Sequence, residues 1–77
     1  MKYQNIRALR EDNDLTQKQV GKYLGVAQNT YSQYENGTIL LTDNVLLALA
    51  DLYHVSVDCL LDREPIPQGL NSVELPQ

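Results

Sequence analysis

The segment Leu15-Thr16-Gln17-Lys18-Gln19-Val20-Gly21-Lys22-Tyr23-Leu24-Gly25-Val26-Ala27-Gln28-Asn29-Thr30-Tyr31-Ser32-Gln33-Tyr34-Glu35-Asn36-Gly37 contains two short helical runs and the residues that bound them. Thr16 reads as an N-cap, and Gln19 three positions later completes a Thr-x-x-Gln capping box. Val20, Tyr23 and Leu24 then recur at helical spacing up to Gly25, which suits the left-handed backbone beyond a helix C-terminus. A second run spans about Ala27 to Glu35 and stops at Asn36-Gly37. Only Leu24-Gly25-Val26-Ala27 joins the two. So short a turn is too tight for antiparallel packing and suits helices crossing at a large angle, the helix-turn-helix arrangement.

The second run has two chemically distinct faces. At about 100° per residue, Ala27, Tyr31 and Tyr34 fall together at roughly 240–300°. Gln28, Ser32, Asn36, Asn29 and Gln33 fall opposite, at roughly 0–140°. The inner face is apolar and aromatic, whereas the outer face holds only neutral amides and a hydroxyl. A merely solvated face would ordinarily scatter Lys and Glu there. Uncharged Gln and Asn suit base edges, because one amide donates to adenine N7 and accepts from the N6 amino group at once.

Working outward, Ile6, Leu9 and Arg10 begin an amphipathic helix that Asn13-Asp14 closes. Thr42 caps a fourth helix whose Val45, Leu46, Leu49, Ala50, Leu52 and Tyr53 are too many for a surface helix, so it is expected to centre the core. Ser56 caps a short fifth helix carrying Val57, Leu60 and Leu61. The pattern predicts an all-α, five-helix domain over residues 1–61. Residues 62–77 form a tail in which Pro65, Pro67, Gly69 and Pro76 forbid a continuous helix. Ile66, Leu70, Val73 and Leu75 give that tail more apolar character than a linker needs. It is either a frayed end or an extended strap laid on the domain or on a partner.

The chain has 77 residues, 10 acidic against 6 basic, for a net charge of −4. Taken whole, that argues against a generic polyanion binder and against a basic membrane-surface helix. The charge is not evenly spread. Residues 1–41 carry five basic groups and four acidic ones, net +1, whereas residues 42–77 set Arg63 against six acids, net −5. A single Cys, Cys59, excludes an internal disulfide framework, and with the single His54 leaves too few ligands for structural zinc. No apolar run is long enough to span a bilayer and no secretory signal opens the chain, so a cytoplasmic protein is expected. Glu11, Asp12 and Asp14 lie around a helix end with no base, nucleophile or cleft, and read as solvated surface. His54 reads as a C-terminal cap and Cys59 as a small buried hydrophobe. No catalytic constellation, cofactor motif or metal site emerges, so the chain does not read as an enzyme.

The combination of Thr16-Gln17, Gly25-Val26, Tyr34-Glu35-Asn36-Gly37 and Val55-Ser56-Val57-Asp58, over residues 5–62, resembles the phage repressor/Cro family of DNA-binding domains. The resemblance implies a compact repressor-like fold with the second and third helices as the helix-turn-helix. It implies base readout by Gln28, Asn29, Ser32 and Gln33, and a phosphate contact at Gln17, at the N-terminal end of its helix where anions are favoured. The Gln17 side chain is also placed to brace Gln28. Lys18 and Lys22 read equally as phosphate contacts or as solvated side chains, and Asn36 and Thr38 complete the phosphate-facing rim. Arg10 and Glu35 match a pair that in the family fixes the third helix against the first.

One departure from the family matters. Thr38-Ile39-Leu40-Leu41-Thr42 contains neither the basic residues nor the Pro common there in relatives, and Asp43 follows. Ile39, Leu40 and Leu41 are instead candidates for packing or dimer contact. The expectation is a transcription regulator, a repressor occupying a double-stranded DNA operator as a weak homodimer, with low non-specific affinity. The alternative is a protein-interaction module, an antitoxin or adaptor, that docks a partner on its acidic C-terminal half and tail.

Overall fold

The computed structural model describes residues 3–68 together with residues 73 and 75. Leu70, Gly69 and Pro76 of the expected tail lie outside the described residues. Five helices follow in order: α1 (Gln4–Asp12), α2 (Gln17–Leu24), α3 (Gln28–Asn36), α4 (Asp43–Tyr53) and α5 (Val57–Leu60). Among the described residues there is no strand.

The local signals act where expected. Thr16 Oγ1 accepts the Gln19 N–H at 3.0 Å while Gln19 Oε1 accepts the Thr16 N–H at 2.8 Å, so the capping box is complete. Gly25 and Gly37 both end their helices at φ 75°, a left-handed conformation that costs glycine little. Thr42 Oγ1 accepts the Val45 N–H, and Ser56 Oγ the Cys59 N–H, which fixes the starts of α4 and α5. His54 ends α4 in the left-handed region at φ 55°.

The core joins Ile6 and Leu9 of α1, Val20 of α2, Tyr31 and Tyr34 of α3, Val45, Leu49, Leu52 and Tyr53 of α4, and Cys59 and Leu60 of α5. α4 supplies more of it than any other helix, as its composition predicts. Burial pushes the Cys59 thiol up, consistent with a packing role. Ala27 differs from expectation. It is exposed and occupies the extended N-cap position, so a helical projection does not apply to it and it leaves the inner face to Tyr31 and Tyr34.

The start of α1 is tied to the segment around the end of α5. The Asp62 carboxylate accepts the Gln4 N–H at 2.9 Å and the Asn5 N–H at 2.7 Å, capping α1 from the far end of the sequence. Asn5 Nδ2 donates in turn to the carbonyls of Cys59 and Glu64. Ile66, Val73 and Leu75 pack against the core, and the Val73 N–H donates to Asn13 Oδ1 at 3.2 Å.

Candidate nucleic-acid interface

α2 and α3 cross at close range, and a glycine permits it. Gly21 is buried in the middle of α2, and a Cβ added there would meet the Val26 carbonyl at 3.2 Å and Tyr31 Cβ at 3.5 Å. Sequence reading passed over Gly21. The signal was available, since an interior helix glycine costs about 1 kcal/mol relative to Ala and calls for a packing reason.

With its inner face held by Tyr31 and Tyr34, α3 turns its other side outward. Gln28, Asn29 and Gln33 are exposed on it, and Ser32 is half-buried beneath Asn36, whose Nδ2 donates to Ser32 Oγ at 3.4 Å. Asn36 and Thr38 are exposed at the C-terminal end of α3 and just beyond. On α2, Lys18 and Lys22 are exposed and Gln17 is half-buried. Among the described residues no hydrogen bond joins Gln17 to Gln28. Gln17 instead stands near the Glu35 carboxylate and adds to the forces that keep it ionised.

The orientation of α3 is set from behind by an ion pair. Arg10 Nε donates to Glu35 Oε2 at 2.9 Å and Nη2 to Oε1 at 3.0 Å, a bidentate fork, while Nη1 donates to the Leu15 carbonyl at 2.9 Å. One guanidinium therefore joins α1, the turn before α2, and α3. Glu35, which falls at about 340° in the same projection and so at the margin between the two faces, is buried at 4% exposure because α1 packs over that margin. Burial alone would push its carboxyl up. The Arg10 hydrogen bonds and charge outweigh this and hold it below the usual carboxylate range. The Tyr31 and Tyr53 hydroxyls are buried without a hydrogen-bond partner among the described residues, and burial pushes both phenols well above their ordinary range.

The geometry is thus a capped α2, a tight glycine-permitted crossing, and an α3 whose amide face is presented on a rigid base. A helix-turn-helix family model matches residues 6–58, all five helices except the ends of α1 and α5. The chain belongs to the helix-turn-helix family. Within it, the match is to the phage repressor/Cro type.

This helix-turn-helix chain is similar to the antitoxin PezA of Streptococcus pneumoniae, 31% identical over 92% of this chain and 45% of that protein. It is also similar to the HTH-type transcriptional regulator YobD of Bacillus subtilis, 38% identical over 75% of this chain and 52% of the other. A third relative is the cryptic phage CTXphi transcriptional repressor RstR of Vibrio cholerae, 40% identical over 68% of this chain and 47% of the other. The chain spans about half the length of these curated relatives. No solved structure matches it. Among the described residues no helix is long and apolar enough to cross a membrane, and no group of His, Cys, Asp and Glu is arranged to hold a metal.

Proposed function

We propose that this protein is a sequence-specific regulator of transcription, a repressor that reads the major groove of double-stranded DNA with α3 as a homodimer in the cytoplasm. The observation that carries the reading is the exposed, uncharged amide face formed by Gln28, Asn29 and Gln33. Such amides match adenine edges bidentately, and each good pair is worth about 1–3 kcal/mol of discrimination. Ser32 is an adjunct. Gln17, Lys18 and Lys22 on α2, with Asn36 at the end of α3 and Thr38 just beyond it, take phosphates on either side. Arg10 and Glu35 act indirectly, by holding α3 in place.

One such helix covers only a few base pairs, so two copies on half-sites about 34 Å apart supply the affinity. Surfaces available for that contact are the loop at residues 38–42, where Leu40 is 86% exposed, the α4–α5 region, and the tail beyond residue 61. The similarity to YobD, a transcriptional regulator, and RstR, a transcriptional repressor, supports this reading.

A second reading, a protein-interaction module acting as antitoxin or adaptor through the acidic C-terminal half and tail, is favoured by the similarity to a protein described as an antitoxin. The two roles are compatible in one chain. Selection from a random duplex library at low salt separates them. The first reading expects an enriched sequence, and expects Gln28→Ala with Gln33→Ala to abolish its selective binding without lowering the melting temperature. Enrichment of no sequence leaves the interaction module as the function.

A further inference from the structure

We propose that the outer face of α4, centred on Leu47, docks a cationic amphipathic helix of a different protein. Projected at about 100° per residue, Asp43, Asn44, Leu47 and Asp51 fall within roughly a quarter of the helix circumference. All four are exposed, while Val45, Leu49, Leu52 and Tyr53 fill the opposite arc as core. Leu47 is 58% exposed and sits in the middle of the stripe, not at its apolar margin. A carboxylate lies one turn away on each side.

Folding does not account for this arrangement. A single exposed Leu is ordinary, and Asp43 in the first turn suits the helix dipole. Asp51, however, stands in the last turn, where the dipole opposes a negative charge. Neither Asp43 nor Asp51 has a salt-bridge partner among the described residues, whose ion pairs are Arg7–Glu11 and Arg10–Glu35. α4 and α5 contain no Lys or Arg. An exposed apolar knob is thus set between two carboxylates about 12 Å apart along the axis.

The charges decide what fits. A second copy of the chain, docked about a two-fold axis through Leu47 with α4 antiparallel to itself, would bring each Asp43 against the other copy's Asp51. Such like-charge juxtapositions weigh against a symmetric pair. A helix with an apolar stripe bordered by Lys or Arg two turns apart covers Leu47 and neutralises both carboxylates. This inference rests on the interaction-module reading, in which the acidic C-terminal half docks a partner, and assigns the outer face of α4 to that partner, not to a homodimer; base readout by α3 is tested separately by the duplex selection.

The test titrates the full ¹⁵N-labelled chain with a synthetic amphipathic helical peptide whose leucine stripe is bordered by Lys, and with its Glu-bordered counterpart. The expected result is saturable amide shifts confined to residues 43–51 with the Lys peptide and none with the Glu peptide. Leu47→Ser should weaken binding by about tenfold, the scale of one buried Leu, and Asp51→Asn by up to about fivefold, the scale of one exposed ion pair, each variant keeping its melting temperature. Shifts spread equally over Asp12, Asp14 and Asp58, or binding undiminished in Leu47→Ser, would overturn the proposal. So would a dimer of the free chain, seen by sedimentation equilibrium, that Leu47→Ser dissolves, because a second copy would then cover the face.

Discussion

Arg10 and Glu35, 25 positions apart, meet through two parallel hydrogen bonds of 2.9 and 3.0 Å, with Glu35 buried at 4% side-chain exposure and Arg10 at 12%. A pair this enclosed has asymmetric consequences. Removing one partner strands the other charge, whereas removing both does not. Arg10→Met is expected to cost about 3–5 kcal/mol, read from urea denaturation. Arg10→Met with Glu35→Leu should recover most of that loss. A double variant as unstable as the single would show that the cost lies in packing and not in the stranded carboxylate.

The same pair sets an acid limit on stability. Glu35 has a folded pKa below the usual carboxylate range, because Arg10 more than offsets its burial. Its contribution is therefore fully present above the unfolded carboxyl pKa of about 4.3 and is lost as pH falls through the lower folded value. Arg10 is shifted upward and stays charged throughout that window. Urea midpoints measured from pH 7 to pH 2 should decline less steeply in the Arg10→Met, Glu35→Leu variant than in the parent chain. Parallel declines would remove Glu35 from the account.

At Gly21 the available space is directional. The added Cβ of Gly21→Ala meets a backbone carbonyl at 3.2 Å, a squeeze set against roughly 1 kcal/mol of gained helix propensity. The net change should stay within about 1 kcal/mol. Gly21→Val adds two methyls where α2 and α3 already touch and should cost about 1–3 kcal/mol as overpacking. Thermal melts of the two variants give the comparison. Equal melting temperatures would mean the crossing opens freely.

Asp62 caps α1 through two backbone N–H groups at 2.9 and 2.7 Å. Asp62→Ala should cost about 0.5–2 kcal/mol, as loss of an N-cap does. Hydrogen exchange of the first turn of α1 should quicken selectively. Unchanged protection at Gln4 and Asn5 would show that water replaces the carboxylate without loss.

DNA binding by this chain should depend weakly on salt. The loop at residues 38–42 has no basic side chain and Asp43 follows it, while Lys18 and Lys22 are the exposed cations of α2. Each phosphate neutralised adds about 0.9 to the slope of log K against log salt. An apparent slope shallower than about −6 is expected from fluorescence anisotropy at several salt concentrations, and a steeper one would contradict it.

The division between what was legible and what was not follows the range of the forces involved. Thr16 with Gln19, Thr42 with Val45, Ser56 with Cys59, and the left-handed Gly25 and Gly37 all act within four residues. A side chain that satisfies the backbone beside it leaves its mark in the adjacent sequence, so the five helices, the tight turn and the amide face of α3 could be read directly. The acidic total divides into net +1 over residues 1–41 and net −5 over residues 42–77, so most of the acidity lies beyond α3, a distribution the total charge conceals. Only the folded chain decided that Asp62 caps a helix 58 residues away and that Glu35 is enclosed at its helix margin. It also decided that Gly21 marks a close crossing, that Ala27 stands outside the helix, and that Leu47 is left exposed while Val45 and Leu49 are buried. Those outcomes depend on which segment returns to cover which face, and no local spacing encodes that.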